Sequence, residues 1–301
     1  MTARRLVLKV DVDTLRGTQE GVPRLVEAMK RRGVGATFLF SMGPDHTGWT
    51  IKRVFRKGFL SKVSRTSAVE HYGVKTLMYG LLLPGPDIGK VAADAIRATG
   101  AAGFETGLHA WDHVKWHDDV RKADDAWTAR EWNAAAERYR ELFGRSAVVS
   151  GAAGWQINPM TVRLQAASGI RYASDGRGPR PYRIAIDGVA VGPPQYPTTL
   201  PTFDEVLGTD GLDERNVHER YLALTAKADP ALPQVFTLHA ELEGQKLLPS
   251  FERLMDAWLA QGWTLCDLGA VHREWEGRTL PLQPLQWGTV PGRAGELVVS
   301  D

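Results

Sequence analysis

Residues 5–14 read R-L-V-L-K-V-D-V-D-T, and this segment indicates the fold class of the whole chain. Its first residues are rich in valine and leucine and alternate only partly, which is typical of a β-strand buried on both faces. Apolar residues then recur at helical spacing over residues 22–29, and residues 36–41 predict a second buried strand. Together these segments predict a βαβ unit whose first strand ends in two carboxylates.

Strand and helix patterns continue to alternate along the rest of the chain. Further strands are predicted at residues 104–108, 147–150, 171–174 and 234–238. Thr128 and Glu131 form a T-x-x-E capping box, which predicts the start of a helix. The alternation predicts one α/β domain over residues 1–301, built as a barrel-like sheet, with residues 45–87 as an inserted subdomain.

The composition is that of an ordinary soluble globular protein. Of the 301 residues, 43% are hydrophobic and 24% are charged, and the formal net charge of +2 does not suggest nucleic acid as a partner. A single cysteine, Cys266, excludes an intramolecular disulfide and a cysteine-based zinc site. The M-T-A-R-R start lacks the pattern of a secretory signal, and the longest apolar run, residues 77–83, is too short to span a bilayer. We therefore expect a cytoplasmic protein, with room for contact at a membrane surface.

Acidic and imidazole side chains follow three of the predicted strands. Asp11 and Asp13 end the first strand, His109 and His113 follow residues 104–108, and His239 follows residues 234–238. Catalytic groups of α/β barrels gather where strands end, so we expect these side chains to share one metal-dependent site. Each motif also has a simpler interpretation: the aspartates as helix-capping or turn residues, and the histidines as structural polar groups.

The spacing of the histidines suggests how they would act. His109 and His113 are four residues apart, which on a helical turn places both rings on one face to bind one divalent ion. His117 is a further candidate ligand whose spacing fits less well. His239, alone on its strand end, is a candidate general acid.

These motifs, in this order, resemble the polysaccharide deacetylase, or NodB-homology, family of metal-dependent amide hydrolases. The resemblance implies a distorted (β/α) barrel with Asp11 as catalytic base and His239 as catalytic acid. It also implies Asp13, His109 and His113 as ligands of one divalent transition metal. Zinc, cobalt, nickel and manganese all suit two imidazoles and one carboxylate.

Longer blocks resemble one branch of this family, which deformylates an amino sugar carried on undecaprenyl phosphate during lipid A modification. They are D-V-D-T-x-R-G-T-x-E-G-V-P-R-L from residue 11, G-L-H-A-W-D-H from 107, A-A-G-W from 152, L-P-T-F-D-E-V-L-G from 200 and H-A-E-x-E-G from 239. The resemblance implies a lipid-linked sugar as substrate. Deacetylation of another N-acylated glycan, or metal-free binding of lipid-linked sugars, are the alternative functions.

The chain departs from the family pattern at two places. Val12 separates the two aspartates, which are often adjacent in the family. The third family motif offers an arginine that orients the base, whereas this chain has A-A-G-W at residues 152–155. Arg177 is a candidate for the missing cation, as a base-orienting or substrate-binding residue. Its alternative interpretation is a surface loop residue.

The inserted segment is basic and amphipathic. No acidic residue lies between Asp45 and Glu70, and six cations lie there: Lys52, Arg53, Arg56, Lys57, Lys62 and Arg65. Apolar residues recur every four positions, at Ile51, Phe55, Phe59 and Val63. This pattern is typical of a helix on the inner face of the cytoplasmic membrane, and the cations could also bind a substrate phosphate. The alternative is an amphipathic helix packed on the barrel, and Gly58 argues against a long rigid helix.

Overall fold

The computed structural model describes residues 4–50 and 73–301. Its strands are β1 (Arg5–Val12), β2 (Thr37–Ser41), β3 (Glu105–Ala110), β4 (Val149–Ser150), β5 (Tyr172–Ala173), β6 (Tyr182–Ile186), β7 (Val189–Gln195), β8 (Gln234–His239), β9 (Thr264–Cys266), β10 (Leu282–Pro284), β11 (Gln286–Gly288) and β12 (Leu297–Val299). Its α-helices are α1 (Val22–Arg32), α2 (Val74–Met78), α3 (Ile88–Val91), α4 (Ala93–Ala101), α5 (His113–Asp119), α6 (Asp125–Phe143), α7 (Pro159–Ala167), α8 (Phe203–Val206), α9 (Val217–Ala226), α10 (Leu248–Ala260) and α11 (Leu268–Trp275).

One large sheet organises the molecule. Its strand order is β10-β6-β7-β5-β4-β3-β2-β1-β8, and all neighbours are parallel except the β6–β7 hairpin. β9 pairs with the first residues of β1, whereas β2 pairs with its later residues. Helices connect most of the parallel strands, which confirms the predicted α/β class.

The sheet curls into a barrel that regular ladders do not close. Among the described residues, β8 ends the ladder path and does not pair with β5 or β7. The chain after β7 crosses this gap. Tyr196 N donates to Ala173 O on β5, and Thr199 N and Leu200 N donate to Val235 O on β8. The irregular crossing explains why the barrel is distorted, as the sequence resemblance implied.

Alternation along β1 separates two environments. Leu6, Leu8 and Val10 belong to the core under the helices, whereas Val7 packs with Leu39, Val149 and Val235 on the opposite, inner face. Successive strand side chains point to opposite faces, so the odd-numbered residues of β1 line the interior. The interior is therefore apolar near the start of β1 and acidic at its end, where Asp11 and Asp13 lie.

The start of helix α6 differs from the sequence prediction. The capping box at Thr128 and Glu131 is wrong: α6 begins earlier, because the Asp124 side chain accepts a hydrogen bond of 2.7 Å from Trp127 N and caps the helix.

The basic amphipathic helix predicted near residues 51–63 lies outside the described residues and stays a prediction. Within residues 4–50 and 73–301, no helix is long and apolar enough to cross a membrane.

Candidate metal centre

Asp13, His109 and His113 converge at the carboxyl end of the parallel strands. Their ligand atoms all lie within 4.8 Å of one another. Asp13 Oδ1 is 3.2 Å from His109 Nε2, and Asp13 Oδ2 is 3.4 Å from His113 Nε2. The predicted trio is therefore brought together from the residue after β1, from β3 and from the start of α5.

The two histidines reach this site differently from the sequence expectation, which placed them on one helical turn. His109 lies within strand β3, and His113 is the first residue of helix α5. Asp112 caps α5 by accepting a hydrogen bond of 3.2 Å from Lys115 N. Because the cap fixes where the helix begins, it also fixes His113 beside the strand end.

The donor atoms suit a divalent metal ion. His109 Nδ1 lies 2.7 Å from the Gly151 carbonyl, which can only accept, so Nδ1 carries a hydrogen and Nε2 is the nitrogen left to bind a metal. Asp13 Oδ1 is buried and accepts no hydrogen bond from the residues described. Two imidazoles and a carboxylate form a ligand set used by zinc and similar ions.

The charges of this cluster shift the pKa values of its members. Burial alone would raise the pKa of Asp13, but His113 and His109 beside it hold that pKa well below its usual range. Burial would lower the pKa of His109, but the carboxylates of Asp11 and Asp13 raise it. Positive charge beside Asp13 therefore keeps its carboxylate ionised, and a bound cation would have the same effect.

Asp11, the predicted base, lies beside the trio with a partner that the sequence analysis did not single out. Its Oδ2 accepts a hydrogen bond of 2.9 Å from Lys9 Nζ. Its Oδ1 is buried without a hydrogen bond from the described residues and lies 3.9 Å from His109 Nδ1. Lys9 precedes Asp11 by two residues on the inner face of β1, so strand alternation could have shown that the two side chains share a face.

His239 faces the same cavity from the end of β8. Its Nδ1 is buried and has no hydrogen-bond partner in the described part of the chain. Its backbone N–H donates to Glu243 Oε2 at 2.8 Å. The predicted acid is therefore held by its backbone, with its ring available to a ligand in the cavity.

Arg177 is buried and pairs with an acid other than Asp11. Its guanidinium donates to Glu205 Oε1 at 2.6 Å and to the Leu200 carbonyl at 3.1 Å, and the residue is buried. The alternative of a surface loop residue is wrong because Arg177 is buried. The hydrogen bonds of its guanidinium within the described residues go to Glu205 and Leu200 and none goes to Asp11, and a substrate-binding role stays a prediction. Lys9 occupies the place beside Asp11, and Arg177 instead holds the crossing segment that completes the barrel.

Glu241 secures the loop that carries Asp13. Its Oε1 accepts hydrogen bonds from Asp13 N at 3.0 Å, Thr14 N at 2.8 Å and Thr14 Oγ1 at 2.9 Å. A Cβ at Gly17 would lie 2.0 Å from the same oxygen, so this position admits only glycine without displacement. The acid that follows His239 by two residues thus ties the end of β8 to the end of β1.

A cavity of about 140 Å³ joins these groups. The five candidate residues Asp11, Asp13, His109, His113 and His239 all line it. Other side chains complete its wall: Thr14, Thr47, Thr50, Val114, His117, Trp155, Asp204 and Arg293. The cavity therefore joins the candidate metal ligands, base and acid to a small polar space for a substrate.

Comparison with known proteins gives consistent matches. The chain is 40% identical over 248 residues to the probable 4-deoxy-4-formamido-L-arabinose-phosphoundecaprenol deformylase ArnD of Shewanella sediminis, covering 82% of this chain and 79% of the relative. It is 29% identical over 281 residues to the protein of that name from Wigglesworthia glossinidia brevipalpis, covering 93% and 96%. No family model matches the chain.

A solved structure shows the same fold. It is that of a protein assigned to the polysaccharide deacetylases, from Mycobacterium smegmatis, with a TM-score of 0.65 at 16% identity. The match covers 96% of this chain and 97% of that one. The deacetylase type of barrel expected from the sequence is thereby confirmed.

Proposed function

Since the chain belongs to the 4-deoxy-4-formamido-L-arabinose-phosphoundecaprenol deformylase family, we propose that it removes the formyl group from that lipid-linked sugar. The reaction consumes water and yields formate and the free amine, as a step of lipid A modification. The observation that carries the proposal is the convergence of Asp11, Asp13, His109, His113 and His239 on one cavity.

Asp13, His109 and His113 would hold one divalent transition metal, for which zinc, cobalt, nickel and manganese are the candidates. When bound, such an ion supplies Lewis acidity, polarising a carbonyl and lowering the pKa of water from 15.7 toward about 7. The hydrogen bond from His109 to Gly151 would keep the ligand nitrogen aimed at the ion.

Two other side chains of the chain would move the protons. Asp11 Oδ1, which has no hydrogen-bond partner among the described residues, would take a proton from the attacking water. His239 would give a proton to the sugar nitrogen as the bond between carbon and nitrogen breaks. One water is thereby divided between formate and amine, and each group returns to its starting state by one proton exchange with solvent.

The basic segment at residues 52–65 is proposed to hold the enzyme at the inner face of the cytoplasmic membrane. Its cations suit anionic lipid headgroups, at about 1 kcal/mol for each cation near the surface. A polyprenyl-linked substrate resides in that membrane, so surface binding would bring the cavity to it. The same cations could contact the substrate phosphate.

The experiment that tests this function is hydrolysis of undecaprenyl-phosphate-linked formamido-arabinose by the purified full chain in liposomes, followed by mass spectrometry. We expect loss of the formyl group, arrest by a chelator and recovery with added cobalt or zinc. A protein that binds metal but leaves the formamide intact would contradict the proposal. Turnover of an N-acetylated glycan in its place would establish the deacetylase alternative.

A further inference from the structure

Lys9 is a cation placed inside the barrel. Its residue exposure is 0%, and its Nζ lies 2.9 Å from Asp11 Oδ2, which is also buried. Removing an ammonium and a carboxylate from water costs several kcal/mol for each ion, and a hydrophobic pair would often be at least as stable. A buried pair of this kind within the candidate active site therefore suggests a functional use.

The pair determines which oxygen of Asp11 faces the reaction. Lys9 engages Oδ2, and the other oxygen, Oδ1, has no hydrogen bond within the described residues. Oδ1 lies on the side of His109, 3.9 Å from its Nδ1. A carboxylate with one oxygen held by an ammonium cannot rotate without losing that bond, so Oδ1 stays directed toward the metal ligands.

The surroundings hold Lys9 in this position. Its Nζ lies 5.3 Å from the centroid of the Trp155 ring, within the range of a cation–π contact. A Cβ at Gly151 would lie 3.0 Å from Lys9 Cε, so the lysine stem passes closely over a glycine. Asp175, another buried acid of the interior, accepts hydrogen bonds from Gln165 at 2.8 Å and Gln195 at 2.9 Å. The side-chain hydrogen bonds to Asp175 thus come from amides, whereas the ammonium of Lys9 donates to Asp11.

We propose that Lys9 is the positioning residue of the catalytic base, holding Asp11 so that Oδ1 accepts the proton of the attacking water. This inference rests on the proposed function. Lys9 would do from β1 what the resemblance led us to expect of Arg177. It touches neither substrate nor metal, and acts through Asp11.

The test compares Lys9→Met and Lys9→Ala in the full chain with Lys90→Met, a control at an exposed lysine. Deformylation rates and cobalt affinity are measured for each variant. We expect kcat of Lys9→Met to fall about 100-fold, the lower range for loss of a positioned general base. KM and the cobalt Kd should stay within about twofold, because the ligands and the substrate contacts are unchanged. Added propylammonium should restore part of the kcat of Lys9→Ala, by filling the space of the missing side chain.

A kcat of Lys9→Met within about twofold of the parent chain would overturn the proposal. So would a loss of rate that is matched by loss of cobalt binding, because the lysine would then serve the metal site. Failure of propylammonium to rescue folded Lys9→Ala would likewise assign Lys9 a structural role.

The pair can also be tested without turnover, which separates this proposal from the proposed function. Lys9→Met should lower the unfolding midpoint of the metal-free chain by leaving Asp11 buried without its cation. Adding Asp11→Asn should recover part of that loss. Additive effects would overturn the pairing, whatever the substrate proves to be. An inactive parent chain with a coupled pair would refute the deformylase and the catalytic use of Lys9, leaving a structural ion pair.

Discussion

Three residues of the centre, Asp11, Asp13 and His109, are each held in place by a second group. The Gly151 carbonyl accepts from His109 Nδ1, Glu241 accepts from the backbone of Asp13, and Lys9 donates to Asp11. Such supporting contacts fix the direction of a ligand or base before substrate arrives, which limits the rearrangement needed for reaction. At the residue scale, the variants that distinguish the roles are therefore those that separate metal binding from proton transfer.

Asp11→Asn and His109→Ala should both lower activity, but only His109→Ala should also lower metal content. Asp11→Asn should reduce kcat by about 10²–10⁴-fold, the usual contribution of a positioned base, with near-normal metal content. His109→Ala should lose both activity and metal, because it removes a ligand. Metal analysis beside the deformylation assay checks both expectations. An active Asp11→Asn would show that another group is the base.

Glu241 should affect metal binding without touching the metal. Glu241→Ala removes the acceptor for three donors of the Asp13 loop, and we expect the cobalt Kd to rise about 10–100-fold. Glu241→Gln keeps a carbonyl acceptor, so its cobalt Kd should be close to that of the parent chain. Titration followed by visible cobalt absorption measures both, and an unchanged Kd for Glu241→Ala would contradict the supporting role.

At the scale of elements, the turn at Ala153–Trp155 shapes the cavity. Gly154 has φ 59° and Trp155 has φ 54°, and a positive φ at a buried tryptophan is strained. The Trp155 indole donates to Thr198 Oγ1 at 3.1 Å, which ties the turn to the segment that crosses to β8. The strained turn thus places Trp155 in the wall of the cavity and above Lys9 Nζ.

Gly154→Ala should destabilise the protein more than Gly144→Ala. The two glycines have similar φ values, 59° and 66°, so both substitutions carry a left-handed penalty of about 1–2 kcal/mol. Only at Gly154 would the new Cβ meet a neighbour, 1.7 Å from His117 Cδ2. Urea unfolding should show the larger loss for Gly154→Ala, and His117→Ala in the same chain should remove the excess. Equal losses for the two glycines would show that the His117 ring moves aside freely.

At the scale of the whole molecule, buried acids make stability depend on pH. Burial raises the pKa of Glu243 to about 8, above the value of about 4.3 for an exposed glutamate. Between these values the folded chain binds more protons than the unfolded chain. The free energy of unfolding contributed by Glu243 is therefore greatest below pH 4.3 and falls as pH rises toward 8, by at most about 1.4 kcal/mol per pH unit.

Glu243→Gln should flatten this dependence. The amide keeps an acceptor for His239 N and carries no charge, so the variant should unfold at a higher temperature than the parent chain at pH 8. Thermal unfolding of the metal-free chains from pH 5 to 8 measures the effect, with the exposed Glu27→Gln as a control. If the unfolding temperatures of Glu243→Gln and the parent chain change with pH in parallel, Glu243 is not the source of the pH dependence.

The basic segment makes a prediction for membrane binding. Replacing Lys52, Arg53, Arg56, Lys57, Lys62 and Arg65 by glutamine should abolish cosedimentation with anionic vesicles while leaving cobalt affinity unchanged. The parent chain should release from vesicles as salt rises, because screening shortens the range of the attraction. Salt-independent binding, or binding that survives the glutamines, would refute an electrostatic contact.

Local patterns predicted six of the strands, their alternation with helices and five candidate site residues that line one cavity. Strand period and strand ends are set by residues near in sequence, so Asp11, Asp13, His109, His113 and His239 could be placed at strand ends without coordinates. A capping pattern proved less dependable, since Thr128 and Glu131 lie inside a helix that begins at Asp125. Several residues of one helix can satisfy such a pattern, and packing selects among them.

Tertiary structure decided which side chains meet across long separations in the chain. Arg177 pairs with Glu205 because the segment after β7 crosses to β8, a closure that no local pattern encodes. Glu241 reaches the Asp13 loop because β1 and β8 are neighbours in the sheet. The alternation of side chains along β1 places Lys9 and Asp11 on one face. Only burial in the interior of the barrel removes the water around them and makes them partners. Residue types and periods are properties of the chain itself, whereas pairing and burial arise when distant segments pack.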